Sequence, residues 1–320
     1  MADPTAQARF EALAAQGAEA GEPRRLAAAI RTGDSEAARD LAALWLHAAA
    51  AAPERLAATY DATAEGWLGA PPRAAPMEAA ASPAPIPQDF WTAFWALARD
   101  PDTGRDAGTI TQRTAELGRS LDPAMGDRVA RMALAYPGVR EAAAQGYPER
   151  FTLEALARAP AGSLGAQFHD LIVDNGFDLE VLDREALGLA DLPAPLDYLN
   201  ARILQCHDLW HLTAGYRTTA LHEVAISGFQ AGQFGHHYSS MFLAMVLTRT
   251  AFDQPDVVGL MLDVILSAWT HGRESPPLLG VDWPAVWGRS LEEVRAGIGL
   301  TAYASPYPAD LFEQLRAAAS

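Results

Sequence analysis

The sequence predicts an all-α protein, a multi-helix bundle with a helical N-terminal extension. Three observations predict it. Alanine-rich and amphipathic apolar runs fill most of the chain, and no stretch shows the period-2 alternation of a half-buried strand. The residues between those runs are helix starters and stoppers: Asp, Ser and Pro before them, Gly and Asn after them. No internal repeat is visible.

Residues 1 to about 70 read as helices through RRLAAAIRTG, DSEAARDLAALWLHAAAAA and PERLAATYDATAEGWLG. Alanine is the residue most easily placed in a helix. Asp34 or Ser35 can cap the second segment, and Pro53 suits the first turn of the third. GAPPRAAPMEAAASPAPIPQ (69–88) is a Pro/Ala-rich linker, extended in character. A boundary placed there gives a helical extension (1–70), the linker (69–88), a main domain (89–305) and a C-terminal tail (306–320).

From Asp89 the aromatic density rises. DFWTAFWALARDPDTG opens with an amphipathic helix carrying Phe90, Trp91, Phe94 and Trp95. TITQRTAELGRSL (109–121) and AMGDRVARMALAYPGV predict two more, the latter ending near Pro137. The stretch 152–182 predicts two short helices around a Pro-Ala-Gly turn, with Asn175-Gly176 closing the second. PLDYLNARILQCHDLWHLTAG is a longer helix stopping at Gly215. The next, capped by Thr218 or Thr219, runs as one piece through TTALHEVAISGFQAGQFGHHYSSMFLAMVLTRTAF to about residue 252. DVVGLMLDVILSAWTHG follows, then SLEEVRAGIG, where Ser290 and Glu293 form a capping box.

Composition narrows function. The 320 residues are 50% hydrophobic and 20% charged, ordinary for a globular chain large enough for a sizeable core. The formal net charge is −16 with no lysine, so phosphate backbones are repelled and no nucleic acid is expected as a partner. Cys206 is the single cysteine, which rules out an intramolecular disulfide and fits a reducing compartment, the cytoplasm. Neither a signal peptide nor an apolar stretch of the ~18 residues that a span requires is evident. Contact with a membrane is expected to be peripheral.

The chemistry concentrates in HDLWHLTAGYRTTALHE (207–223). His207 and His211 are four apart, hence on one helix face about one turn apart, as in helices that hold zinc through an HExxH motif. Neutral imidazoles suit zinc, iron or similar ions. Asp208 occupies the place of the glutamate in that motif, one methylene shorter, so it is a ligand, a partner behind the ligands or a general base. Gly215 turns the chain back as a hairpin, which can fold Glu223 toward the histidines. Two histidines with carboxylates leave coordination positions open, as a catalytic metal requires. A His-x3-His pair alone is more often structural; Asp208 and Glu223 turn the balance toward a metal.

The neighbours fit less well. His222 points roughly 100° from Glu223, toward the surface or behind the ligands. His236 and His237 lie ~20 Å further along a continuous helix and read as polar residues on its face. Cys206 reads as a small buried hydrophobe.

HDLWH followed by eleven residues and Glu223 resembles the HDxxH-x11-E signature of the ubiquinone (coenzyme Q) biosynthesis protein 4 family. PAGSLGAQFHDLIVDNGF (160–177) is similar to that family's stretch upstream of the metal helix, and WTHGRESPPLLGVDWPAVWGRSLEEVRAGIGL (269–300) resembles its C-terminal segment. The resemblance covers Asp89 to Thr301, roughly two-thirds of the chain. It implies an all-helical protein with one divalent metal (zinc, iron or manganese) held by His207, Asp208, His211 and Glu223. Asp208 and Glu223 are then the catalytic carboxylates. It further implies a 4-hydroxy-3-methoxy-5-polyprenylbenzoate decarboxylase-like activity, in which a hydroxyl replaces the carboxylate at ring carbon 1. Partners implied are the polyprenylated aromatic acid, other ubiquinone-biosynthesis enzymes and the cytoplasmic (inner) membrane surface. A homodimer is left open by the sequence. Two departures from the family are the segment 1–88, which matches nothing in it, and the histidine pair 236–237.

Two readings compete with this one. A prenyl-lipid-binding scaffold with a structural metal would carry the same motif, and so would a hydrolase using Asp208 as base. The hydrolase is the weaker, because Glu223 follows the histidines closely and the flanking blocks point elsewhere. The apolar runs FLAMVL (242–247) and VVGLMLDVIL (257–266) are plain core by default, although a groove for a prenyl tail would use the same residue types.

Overall fold

In the computed structural model, which describes residues 3–77, 82–100, 113–114 and 116–319, helices form where alanine-rich or amphipathic runs meet capping residues. In chain order they are α1 (Pro4–Gln16), α2 (Glu22–Ile30), α3 (Ser35–Ala50), α4 (Leu56–Leu68) and α5 (Gln88–Arg99). Then come α6 (Met125–Ala133), α7 (Val139–Ala143), α8 (Leu153–Ala157), α9 (Leu164–Asn175) and α10 (Leu196–Ala214). The rest are α11 (Ala220–Phe234), α12 (His237–Asp253), α13 (Val258–Glu274), α14 (Leu291–Ile298) and α15 (Leu311–Ala319). Of the helix expected over 109–121, residues 113–114 and 116–119 are helical and the start lies outside the described residues. No strand occurs among the described residues, only the isolated bridge Ser163–Ser290. The all-α expectation holds. None of these helices is long and apolar enough to cross a membrane.

The chain forms two compact units that are not consecutive in sequence. The first comprises Met1–Met132, Ser227–Glu274 and Ser305–Tyr307; the second comprises Ala133–Ile226, Ser275–Ala304 and Pro308–Ser320.

In the first unit, Asp34 rather than Ser35 caps α3, its carboxylate accepting from the Glu36 and Ala37 N–H groups at 3.0 Å each. α3 is buried along most of its length because α1, α2 and α12 cover it. Trp45 stacks on Tyr60 at 4.1 Å, and Tyr60 lies 4.7 Å from Trp269 of α13. Phe10 of α1 sits among Trp91, Phe94 and Trp95 of α5 and Phe252 of α12. Trp67 Nε1 donates to Asp263, and Trp269 Nε1 donates to Asp61.

These contacts correct the division by composition. Helices from both sides of 69–88 share one core, and described residues of the Pro/Ala stretch bond to it: Ala84 N–H bonds the Ala51 carbonyl, and Arg273 bonds the Ala75 carbonyl. Proline and alanine content reports local stiffness and says nothing of what the flanking helices pack against. The runs 242–247 and 257–266 also lie in this core, with Leu243, Leu247, Leu262 and Ile265 fully buried.

A second correction concerns residues 218–252. The single expected helix is two, broken at Gly235, whose φ of +63° is left-handed. Before that break, α11 approaches α13 on glycines. A Cβ on Gly228 would lie 2.8 Å from the Ile265 carbonyl oxygen, one on Gly232 2.6 Å from that of Trp269, and one on Gly272 2.3 Å from that of Phe229. Only glycine permits such backbone contact.

In the second unit, α9 starts at Ser163, whose hydroxyl meets the Ala166 N–H, and stops at Gly176, as expected. Its first turn pairs with the segment before α14: Leu164 N–H bonds the Arg289 carbonyl at 2.7 Å, and Gly165 N–H bonds that of Trp287 at 2.9 Å. Phe168 stacks on Trp287. The stretches 160–177 and 269–300, separate in sequence, are partly joined here. The predicted capping box at Ser290 and Glu293 is formed.

Candidate metal centre

α10 carries the two histidines and ends where expected, at Gly215 with φ +85°. A helix leaves its last four carbonyls without helical partners. Here each one is met. The His211 carbonyl accepts from Gly215 N–H, the Leu212 and Thr213 carbonyls from the Arg295 guanidinium at 3.0 and 2.8 Å, and the Ala214 carbonyl from Tyr303 N–H at 2.8 Å. Arg295 also places a positive charge at the negative end of the helix dipole. The end of the histidine helix is thereby held fixed.

The hairpin then enters α11 differently from expectation. The Thr219 hydroxyl donates to the Ala309 carbonyl at 2.6 Å, and it is Glu313 that meets the Ala220 N–H, at 3.1 Å. A carboxylate from α15 thus serves the helix start that a threonine was expected to serve. Glu223 follows one turn into α11.

The geometry brings the sequence candidates together. His207 Nε2 and His211 Nε2 are 3.1 Å apart; Glu223 Oε2 is 3.3 Å from the former, and Glu223 Oε1 is 3.2 Å from the latter. Two nitrogens each ~2.05 Å from one ion would stand ~2.9 Å apart at a right angle and ~3.3 Å apart at the tetrahedral angle. The observed separations fall in that interval, so the donor set fits a divalent metal of this size. Asp208 is more loosely placed: one ligand atom each from His207, Asp208 and His211 lie within 4.8 Å of one another.

Hydrogen bonding fixes which nitrogen faces the centre. His211 Nδ1 lies 3.0 Å from the Arg217 carbonyl, so that nitrogen carries the proton and Nε2 presents its lone pair to the site. Acceptors facing one another at such distances need a cation between them. A proton on His207 is one such cation. Burial disfavours it, but the hydrogen bond to Glu223 and the charges of Glu223 and Asp208 outweigh burial and raise the His207 pKa. Burial raises the Asp208 pKa, against the pull of both histidines. For Glu223 burial works against the charged form, yet the two histidines facing it hold its carboxyl well below the usual range. Exposure is graded across the site: the His211 side chain is 1% exposed, His207 18% and Glu223 41%, so the centre is rooted at His211 and opens past Glu223.

The remaining candidates separate from it. Cys206 is buried, and its thiol is pushed up to about 11 by burial, an inert small hydrophobe as read. His222 is buried, not at the surface, and lies behind His211. His236 and His237 are at the helix break: His236 Nδ1 bonds Ser239 Oγ, and His237 Nε2 donates to the Ala49 carbonyl at 2.8 Å. They are internal hydrogen-bonding groups rather than polar residues on a continuous face. Sequence reading passed over Arg295, Glu313 and the Arg217 carbonyl, which orient the centre. Only Arg295 left a trace, as the arginine of the EEVR block.

Residues 145–304, half of the chain, match the family model described as Coenzyme Q (ubiquinone) biosynthesis protein Coq4. The match starts later than the expected Asp89. A mitochondrial ubiquinone biosynthesis protein COQ4 homolog of Drosophila ananassae is 30% identical over 149 residues, covering 46% of this chain and 53% of that protein. The human homolog is 28% identical over 160 residues, 46% of this chain and 54% of that protein. The chain thus spans about half the length of the curated relatives it matches. A crystal structure from Nostoc punctiforme, of a protein named for ubiquinone biosynthesis, superimposes with a TM-score of 0.51 at 20% identity. It covers 67% of this chain and 97% of the other, a likeness of fold.

Proposed function

The chain belongs to the Coq4 family of coenzyme Q (ubiquinone) biosynthesis proteins, and from that premise we propose that it is a metal-dependent enzyme replacing the carboxylate of a polyprenylated 4-hydroxybenzoate ring with a hydroxyl. The observation that carries the reading is the convergence of His207 Nε2, His211 Nε2 and the Glu223 carboxylate at 3.1–3.3 Å, open to solvent on one side. A closed structural site would have no such opening.

His207, His211 and Glu223 hold one divalent metal, with Asp208 beside them. When bound, the metal supplies a Lewis-acidic anchor for the ring carboxylate or phenolate, and redox chemistry as well if it is iron or manganese. The chain supplies the rest. His211, locked through Arg217, fixes the direction from which the site is approached. Asp208, whose buried carboxyl has a raised pKa, can hold a proton at an oxygen next to the histidines and exchange it with the ring's phenolic oxygen. The bond from C1 to the carboxyl breaks with loss of carbon dioxide and a bond to a hydroxyl oxygen from water forms; the two electrons released pass to dioxygen, the second substrate, which leaves as hydrogen peroxide.

A prenyl tail keeps such a ring in the membrane, so the protein works at the membrane surface beside other enzymes of the same synthesis. It does so peripherally, since no described helix spans a bilayer. The test is to replace the chromosomal copy with Glu223→Ala and identify the prenylated aromatics by mass spectrometry. The carboxylated ring should accumulate and quinone should fall. Undiminished quinone would favour a scaffold that presents prenylated intermediates to partner enzymes.

A further inference from the structure

We propose that His222 is a positioning residue of the metal centre, holding the Arg217 backbone whose carbonyl in turn holds His211. The inference rests on the reading of His207, His211 and Glu223 as metal ligands. Two hydrogen bonds form the chain of contacts. Arg217 N–H donates to His222 Nδ1 at 2.8 Å, and the Arg217 carbonyl accepts from His211 Nδ1 at 3.0 Å. Both backbone groups of one residue are thus tied to imidazoles, one a ligand and the other not.

Arg217 needs this support. It lies in the exposed turn between α10 and α11, outside any helix, where no ladder of backbone bonds would set its direction. His222 itself is well fixed. It is 3% exposed and meets Tyr216 and Tyr303 edge-on, with ring centroids 6.0 and 5.7 Å away, and those two tyrosines stack on each other at 4.5 Å. Accepting at Nδ1 puts the imidazole proton on Nε2, and Nε2 has no hydrogen-bond partner among the described residues. The polar function of a buried histidine is therefore spent on Arg217. An aromatic core residue would fill the same space without an acceptor, which makes the acceptor the feature to test.

Groups that orient a ligand histidine commonly govern metal affinity. The experiment compares zinc(II) affinity, measured on the full chain by competition with a chromophoric chelator, in wild type and three variants. Metal-free unfolding midpoints are recorded alongside. His222→Asn keeps an acceptor oxygen near the Nδ1 position, His222→Gln moves its amide to the Nε2 position, and His222→Phe keeps only the ring. The Asn variant should bind nearly as wild type, while Gln and Phe should bind about ten- to a hundred-fold more weakly. A merely structural role would make affinity follow the metal-free midpoint instead of the acceptor. A Phe variant with wild-type affinity, or Asn and Gln variants with equal affinity, would overturn the proposal while leaving the metal reading intact. Wild-type protein that takes up no zinc would overturn both.

Discussion

Gly215 is the residue on which the hairpin of the metal centre turns, and Gly215→Ala is the perturbation whose cost can be worked from the structure. Its φ of +85° is left-handed, which costs an L-residue ~1–2 kcal/mol. The added methyl would lie 3.0 Å from the Ala302 Cβ, 3.1 Å from the Tyr303 nitrogen and 3.3 Å from the Ala302 Cα. Carbon atoms rest at about 3.5–4.0 Å, so the segment must give by several tenths of an ångström. Such overpacking costs ~1 kcal/mol at the lower end of its range. It also acts on the Tyr303 N–H that satisfies the Ala214 carbonyl. The sum is about 2–3 kcal/mol, measurable as a drop in the urea midpoint at unchanged m-value. Gly215→Asn separates the two costs: asparagine tolerates the left-handed region but carries the same Cβ, so it should recover about 1 kcal/mol and no more. Zinc affinity should fall in both, because Glu223 reaches the histidines only through this turn. An Ala variant with a wild-type midpoint would refute the reasoning, since the chain then could not turn as described.

Three further outcomes are expected. Gly272→Ala drives a methyl to 2.3 Å from the Phe229 carbonyl oxygen and should destabilise by about 1–3 kcal/mol, net of helix propensity, whereas Gly126→Ala, with nothing within 4 Å, should be neutral or stabilising; equal effects in a denaturation series would contradict the glycine contact. Arg295→Met removes two charged hydrogen bonds from the carbonyls of α10 and should cost about 3 kcal/mol or more, so a loss under 1 kcal/mol would count against the cap. His237 is held neutral by burial, its pKa lowered despite the Ala49 bond, as is that of His47. Their contribution is complete above about pH 6.5, the unfolded value, and is lost as pH falls below it. His237→Gln, which retains a donor for Ala49, should show a shallower loss of stability between pH 7 and pH 5; an unchanged slope would assign the acid sensitivity elsewhere.

Local features were legible in the sequence where the deciding interaction is local. The Asp34 cap, the Ser290–Glu293 box and the stops at Gly176 and Gly215 each depend on residues within a few positions of one another. The approach of His207 and His211 follows from helical spacing alone. What long-range packing decides was not legible. Pro/Ala content at 69–88 suggested a separable extension, while the Phe10 and Trp45 contacts that fuse those helices to α5, α12 and α13 leave no pattern in either partner's sequence. Gly235 looked tolerable within a long helix; its role appears only with Ser239 and Gln230 arranged around His236. In the centre, the ligand candidates were readable and their supports were not, because Arg217 acts through its backbone and Arg295 from more than eighty residues away.

The central claim is that the 207–223 hairpin holds a catalytic metal, and metal analysis tests it most directly. Full-length protein, purified without chelators and dialysed against trace metal, should carry about one equivalent of a divalent ion by mass spectrometry of its elements. The His207→Ala/His211→Ala double variant should carry none while keeping its helical circular dichroism. Wild-type protein devoid of metal, or a double variant as fully loaded as wild type, would contradict the account.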